Sequence, residues 1–176
     1  KKKIPFIKIR EPGGNKNSEK IRKLILSNKS IFNKNTDLLL YLAARSENIE
    51  KNIKKNYKKK IILIDRFVDS TIAYQHFGMK VDLNLITSIN TFLLQDIKVD
   101  FTFLHTVSIK NMKLRLSKRK SLNRYDKFNI LFYKKVQSGF LKIAKKNPKK
   151  YLKVNSNKSI VSNKEIILSK IIKIIR

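Results

Sequence analysis

The sequence predicts an α/β fold, a parallel β-sheet flanked by helices on both faces. Two observations carry this. Short β-branched runs alternate with segments of helical spacing along the whole chain, the pattern of βαβ units. One of those runs, IILID at 61–65, is apolar on both faces and bounded by charge, as a buried parallel strand is. With 176 residues, 41% of them hydrophobic, the chain has room for a substantial core. Residues 1–176 read as a single domain, without repeat or linker.

Taken in order, residues 4–9 (IPFIKI) are the first expected strand, closed by the turn-like PGG at 12–14. Residues 18–27 (SEKIRKLILS) have helical spacing behind a Ser cap. Thr36 is the expected cap of a long helix running to about residue 56, with Leu39, Leu42, Ala43 and Ile49 on one face. After the 61–65 strand, Asp69 or Ser70 opens a helix, and Asp82 opens another that continues through Leu94. DFTFLHTV at 100–107 is a further strand. Helical patterns cover 108–119 and 127–146, YLKV at 151–154 is a short strand, and a terminal helix spans about 160–175.

Lys and Arg total 42 against 12 Asp and Glu, a formal net charge of +30. Lys occurs 34 times and Arg only 8, while Ile and Asn occur 25 and 17 times. Lys, Ile and Asn share A/T-rich codons, and the lysines are spread along the chain. A nucleic-acid surface favours Arg and gathers charge on one face. The charge therefore reflects composition, and nucleic acid is not the expected partner. No stretch approaches the ~18 uninterrupted apolar residues of a membrane span, and no cysteine is present to form a disulfide or a thiolate metal site. The expectation is a soluble, cytoplasmic protein. His76 and His105 have no plausible ligand cluster and are assigned to structure.

Against this background four segments stand out. IILIDRF at 61–67 ends an apolar strand in Asp65 and Arg66, an arrangement in which the carboxylate can hold Mg²⁺ and the guanidinium can clamp a phosphate. Asp65 as a helix cap or surface ion-pair partner is the alternative. REPGG at 10–14 places Arg10 and Glu11 at the end of the first strand, then Pro12, a candidate for a cis bond, and two glycines that let the backbone bend close to a ligand. LLLYLAARSENIE at 38–50 sets Tyr41 and Arg45 four apart on one helix face, so that a ring could stack on a base while the guanidinium bonds its edge. DRFVDSTIAYQ at 65–75 offers Ser70, Thr71, Tyr74 and Gln75 to a common pocket. Each has a plainer alternative: Tyr41 as core, Arg45 as a solvated helix charge, REPGG as an ordinary turn.

In this order and spacing, REPGG followed by EKIRKLIL, LLLYLAAR, IILIDRFVDSTIAYQ, VDFTFLHTV and LFYKKVQSGFLKIA resemble the successive blocks of the bacterial thymidylate kinase (dTMP kinase) family, from about residue 4 to the C-terminus. The resemblance implies a P-loop nucleoside-monophosphate-kinase-like three-layer sandwich that transfers the γ-phosphoryl group of ATP to dTMP with Mg²⁺. It implies that Arg45 bonds the thymine edge, that Tyr41 stacks on the base, and that Thr71 approaches it. Tyr74 would sit against the deoxyribose, Gln75 and Ser70 would line the same pocket, and Arg66 would grip the dTMP phosphate with Arg10 nearby. Asp65 would act through Mg²⁺, and Glu11 and Pro12 would shape the acceptor wall. A homodimer packed through helices, including the long one at 36–56, is also implied.

The basic cluster LRLSKRKSLNRYDKF at 114–128 falls where that family has its mobile lid, here about 115–127. Arg115, Arg119 and Arg124 would belong to it, with Arg119 and Arg124, like Asp65 and Arg66, expected in the catalytic set. The family has Asp-Arg where this chain has Asn123 and Arg124, which argues against a lid carboxylate; Lys118 and Lys120 read as solvated. No GxxxxGK[ST] segment occurs in the 176 residues, and the chain begins KKK. The expectation is a fold short of its first strand and P-loop, roughly one βα unit of about 30 residues. The leading functional reading is a dTMP kinase. The alternatives are a catalytically inactive dTMP-binding or dimerisation module and, further off, a basic nucleic-acid-binding protein.

Overall fold

The computed structural model describes residues 4–175. Strand β1 (Phe6–Arg10) leads to α1 (Lys16–Leu26), α2 (Lys34–Asn48), a π-helical turn (Ile49–Ile53) and α3 (Lys54–Asn56) before β2 (Ile61–Asp65). Then come α4 (Val68–Thr71), a second π turn (Ile72–Gly78), α5 (Leu83–Leu94), β3 (Thr102–Thr106) and α6 (Ile109–Ser117). A 3₁₀ turn (Arg124–Lys127), α7 (Ile130–Lys146), another 3₁₀ turn (Pro148–Lys150), β4 (Tyr151–Asn155) and α8 (Ile160–Ile175) complete the chain. Among the described residues no helix is long and apolar enough to cross a membrane.

All strand pairing is parallel, as the alternating pattern requires. β1 pairs with β2 in the register Phe6↔Ile61 to Arg10↔Asp65, and β3 pairs with β4 from Thr102↔Tyr151 to Thr106↔Asn155. The hydrogen bonds thus form two two-stranded sheets, and each described strand has one strand neighbour. Contacts divide the chain into two compact units, residues 1–98 with 123–139 and residues 99–122 with 140–176.

The first unit is built on two apolar clusters. Leu38, Leu42, Val81 and Ile86 form one, with Ile72, Met79, Ile89 and Leu93 packed against it. Ile9, Ile49 and Ile53 form the other, joined by Ile7, Ile62, Ile64 and Phe67. Each fully buried aliphatic side chain stabilises by about 1.5–3 kcal/mol relative to exposure. In the second unit Leu104, Ala144 and Val154 are buried, while Ile160, Val161 and Ile172 on α8 are exposed.

Several local expectations are corrected. α1 begins at Lys16, capped by Asn15, whose side chain accepts from Asn17 N and Ser18 N. Ser18 is not the cap; it lies inside the helix, buried, donating its hydroxyl to Ala44 O at 2.9 Å. Thr36 likewise yields to Asn33, which accepts from Asn35 N and Thr36 N at 2.9 Å. Asn caps as well as Ser or Thr, so both helices start earlier. The inward face of α2 carries Leu38, Leu42 and Arg45, and Ile49 just beyond; Leu39 is 56% exposed and Ala43 is exposed. Asp37, Arg45 and Asn48 share the buried side, and polar residues there obscure the hydrophobic period. The helix after β2 starts at Val68 rather than Asp69 or Ser70, and turns π-helical at Ile72. β2 is only half-buried, with Leu63 44% exposed, because β1 is its single strand partner.

Candidate functional site

The carboxyl ends of β1 and β2 lie level, Arg10 opposite Asp65, and Glu11 N donates to Asp65 O at 3.0 Å. Open parallel sheets bind ligands at these ends. Arg10, Asp65 and Arg66 are all exposed there. Arg66 holds φ at 65°, a left-handed conformation that costs a branched or long side chain about 1 kcal/mol or more and persists where surrounding structure imposes it. Its guanidinium carbon stands 5.2 Å from the centroid of the Tyr74 ring.

REPGG is more than an ordinary turn. The Glu11–Pro12 peptide is cis, and Gly14 has φ 122°, which only glycine adopts readily. A Cβ on Gly14 would also meet Asn48 Oδ1 at 2.6 Å. Asn48 Nδ2 donates to Gly13 O at 2.6 Å and Asn52 Nδ2 to Gly14 O at 3.1 Å, so α2 and the π turn after it fasten this loop. The acid of the loop faces inward. Glu11 Oε2 accepts from Arg45 Nε at 2.9 Å and Nη2 at 2.7 Å, and Arg45 Nη1 donates to Asn90 Oδ1 at 2.6 Å. Burial pushes the Glu11 carboxyl above the usual carboxylate range, with Arg45 and Asn48 pulling against it. Arg45 is 1% exposed, lies 5.1 Å from the Phe67 ring, and uses three of its five N–H groups in these bonds. It is no solvated helix charge.

Tyr41, one turn before Arg45, is half-buried, and its ring meets Tyr125 edge-on at 6.0 Å. Burial raises its hydroxyl pKa to about 12, with Asp37 adding to the rise and a hydrogen bond with Tyr125 opposing it. Tyr74 also meets Tyr125, at 5.9 Å. Tyr74 and Gln75 sit on the π turn, a rare geometry that recurs at functional sites. Gln75 is buried, its Nε2 3.4 Å from both Asp37 Oδ2 and the Tyr125 hydroxyl. Thr71 is 2% exposed and its Oγ1 has no hydrogen-bond partner. Ser70 is half-buried on α4.

The three arginines of the expected lid divide between the two units. Arg115 and Arg119 belong to the second unit and are exposed; Arg115 Nη2 donates to Ser156 O at 2.5 Å. A cleft of about 370 Å³ in that unit is lined by His105, Arg115, Lys158, Asn163 and Lys164, with Ile167. Arg124 belongs to the first unit, where its guanidinium pairs with Asp37 and its Nε donates to Ile25 O at 3.1 Å. Asn123, where the family has Asp, caps the 3₁₀ turn in a capping box with Asp126. Asn and Asp do that work equally well.

Among the described residues no three His, Asp, Glu or Cys side chains gather as a metal cage. Mg²⁺ needs no such cage, since it is held by one or two carboxylates with phosphate oxygens and water, and the exposed Asp65 fits that donor set.

Sequence reasoning missed Asp37, Asn48, Asn90, Tyr125 and Arg22. Arg22 is held below the ordinary arginine range by burial and then by Arg10, with Arg66 adding to the effect and Glu19 and Tyr41 opposing it. Arg22 therefore feels the charge of both Arg10 and Arg66. The place of Arg22 one turn beyond Ser18 in EKIRKLIL was the available signal, hidden among the lysines.

Comparison with known proteins agrees with this geometry. A family model described as thymidylate kinase matches residues 1–167. The chain is 31% identical over 158 residues to the thymidylate kinase of Kosmotoga olearia, covering 89% of this chain and 76% of that one. It is 33% identical over 176 residues to that of Acholeplasma laidlawii, covering 98% and 86%. The crystal structure of thymidylate kinase from Ehrlichia chaffeensis superposes with a TM-score of 0.73 at 30% identity, covering 96% of this chain and 80% of that one. The chain belongs to the thymidylate kinase family and has its nucleoside-monophosphate-kinase-like fold.

Proposed function

We propose that this chain is a dTMP kinase that transfers the γ-phosphoryl group of ATP to dTMP, giving dTDP for DNA precursor synthesis in the cytoplasm. The observation that carries the reading is Arg45: buried, oriented by Glu11 and Asn90, and left with two N–H groups for the edge of a base. A fixed planar donor of that kind discriminates strongly between acceptor patterns. Tyr41 would cover the base, Thr71 Oγ1 would gain the partner it lacks, and Tyr74 would stand against the sugar, with Gln75 and Ser70 lining the pocket and Glu11 and Pro12 its wall.

The dTMP phosphate would lie at the strand tips, gripped by Arg66 with Arg10 and Arg22. A phosphate there would offset the charge of Arg10 and Arg66, which adds to burial in depressing Arg22. Because the acceptor is already anionic, no general base is required, and catalysis is positioning plus electrostatics. Mg²⁺ at Asp65 would neutralise charge between the phosphates. Arg115 and Arg119 would serve ATP as exposed lid cations, and the chain acts as one kinase domain within a homodimer that includes α2, whose Leu39 is exposed.

Thr71→Val tests the acceptor assignment. It removes a buried, unpartnered hydroxyl at constant shape, so the free protein should gain about 1 kcal/mol of stability, while calorimetry should show dTMP binding weakened about tenfold. Weakened folding with unchanged dTMP affinity would sink the assignment. Coupled ADP release with dTMP, dUMP and dCMP tests the activity itself, and no turnover of dTMP would refute it.

A further inference from the structure

Asp37 is a buried acid to which that reading gives no task. It is 1% exposed on α2, one turn before Tyr41 and two before Arg45. Its two oxygens take different partners from one distant dipeptide: Oδ1 accepts from Arg124 Nη2 and Oδ2 from the Tyr125 hydroxyl. Gln75 Nε2 lies 3.4 Å from the same Oδ2. The dipeptide is held from other directions too. Arg124 Nε donates to Ile25 O, its guanidinium packs 5.4 Å from the Phe32 ring, and Tyr125 O accepts from the Tyr133 hydroxyl at 2.6 Å. Asn123 and Asp126 cap the turn that carries it.

A carboxylate this buried is costly unless its oxygens are paired, and here the pairing fixes two residues 87 and 88 positions away. The consequence is geometric. Tyr125 is placed edge-on to Tyr41 at 6.0 Å and to Tyr74 at 5.9 Å, in contact with both rings assigned to base and sugar.

Resting on the dTMP reading, we propose that Asp37 is a positioning residue that latches Arg124 and Tyr125 to α2. The latch fixes the C-terminal end of the 115–127 segment and holds the Tyr125 ring as a wall of the acceptor pocket. Arg124 is then a strut whose charge is committed to Asp37, and not a cation delivered to the transferred phosphoryl group. Occupancy of the acceptor pocket and order in the segment's end become coupled, since Tyr125 takes part in both.

Two readouts on the full chain test this: limited trypsin cleavage after Arg124 and Lys127 under folded conditions, and dTMP affinity by calorimetry. In the parent protein dTMP should slow cleavage at both sites. Asp37→Asn, nearly isosteric and uncharged, should speed that cleavage and weaken dTMP binding, each about tenfold, and should abolish protection by dTMP. Asp37→Glu should restore part of both effects. Tyr125→Phe keeps the ring and removes only the hydroxyl donor, so it serves if Asp37→Asn does not fold; it should weaken dTMP binding severalfold. An Asp37→Asn protein that melts earlier yet keeps parental dTMP affinity and parental protection would overturn the proposal, leaving Asp37 a purely structural tie. Absence of any dTMP binding in the parent would sink the acceptor reading and the positioning role with it. Cleavage unchanged in Asp37→Asn while dTMP still binds would sink the latch alone.

Discussion

The two units of this chain treat polar groups in opposite ways. The first buries Glu11, Asp37, Arg45, Asn48, Thr71, Gln75 and Asn90 among apolar clusters, and nearly every polar atom there has a named partner. The second keeps its basic side chains Arg115, Arg119, Lys158 and Lys164 at the surface, all but Arg119 lining a cleft, over a small core of Leu104, Ala144 and Val154. A site that must recognise the edge of a base needs donors fixed before the ligand arrives. Cations that follow a moving phosphate need freedom, and regions with few buried contacts are where local opening is easiest. On the proposed function, the first unit would serve recognition and the second adaptation.

The most severe way to break that contrast is Arg45→Met. It removes the cation from a buried pair and strands Glu11, so denaturant unfolding should show a loss of about 3–5 kcal/mol. Arg115→Met, in the second unit, should stay within about 0.5 kcal/mol of the parent. Equal losses would mean that the polar interior of the first unit is no more committed than the surface of the second.

Next comes the apolar support. Leu42 is 3% exposed and packs with Leu38, Val81 and Ile86, so Leu42→Ala should cost about 2–4 kcal/mol through lost burial and a residual cavity. Ile160, 88% exposed at the start of α8, should tolerate Ala with a change of at most about 0.5 kcal/mol. A large cost at Ile160 would show that the α8 surface is covered in solution, and would narrow the difference between the units.

The same contrast explains what was legible in the sequence. The strands were, because IILID, FTFLHT and YLKV concentrate β-branched and aromatic residues between charged flanks. Asp82 was recognisable as a cap because it precedes an unbroken helical period. The caps Asn15 and Asn33 were not, since Asn is so common here that a functional one does not stand out. The face of α2 was misjudged because Asp37, Arg45 and Asn48 point inward and break the apolar period at the positions that build the site. Tyr41 and Arg45 were singled out from their spacing, a local signal. Their partners Glu11, Asn90 and Tyr125 lie 34, 45 and more residues from Arg45, and no local pattern records such pairings. Arg124 was singled out for its type within a basic cluster, while its partner Asp37 decides where its charge goes.

The smallest effect concerns the rim between the buried network and solvent. Tyr41 is half-buried, and burial raises its pKa to about 12, against a value of about 10 in the unfolded chain. Between those values the folded protein keeps a proton that the unfolded chain releases. The unfolded state therefore binds fewer protons, and stability attributable to this group declines as pH rises from about 10 to 12, with no effect below that window. Tyr41→Phe should flatten this part of the stability curve while leaving unchanged the tyrosinate absorbance gained by the folded protein up to about pH 11. Asp37→Asn should let the ring titrate earlier, because it removes a negative charge that raises the Tyr41 pKa. If Tyr41→Phe instead removes absorbance near pH 10, the ring faces solvent, the latch does not reach it, and at its rim the recognition unit is as open as the adaptable one.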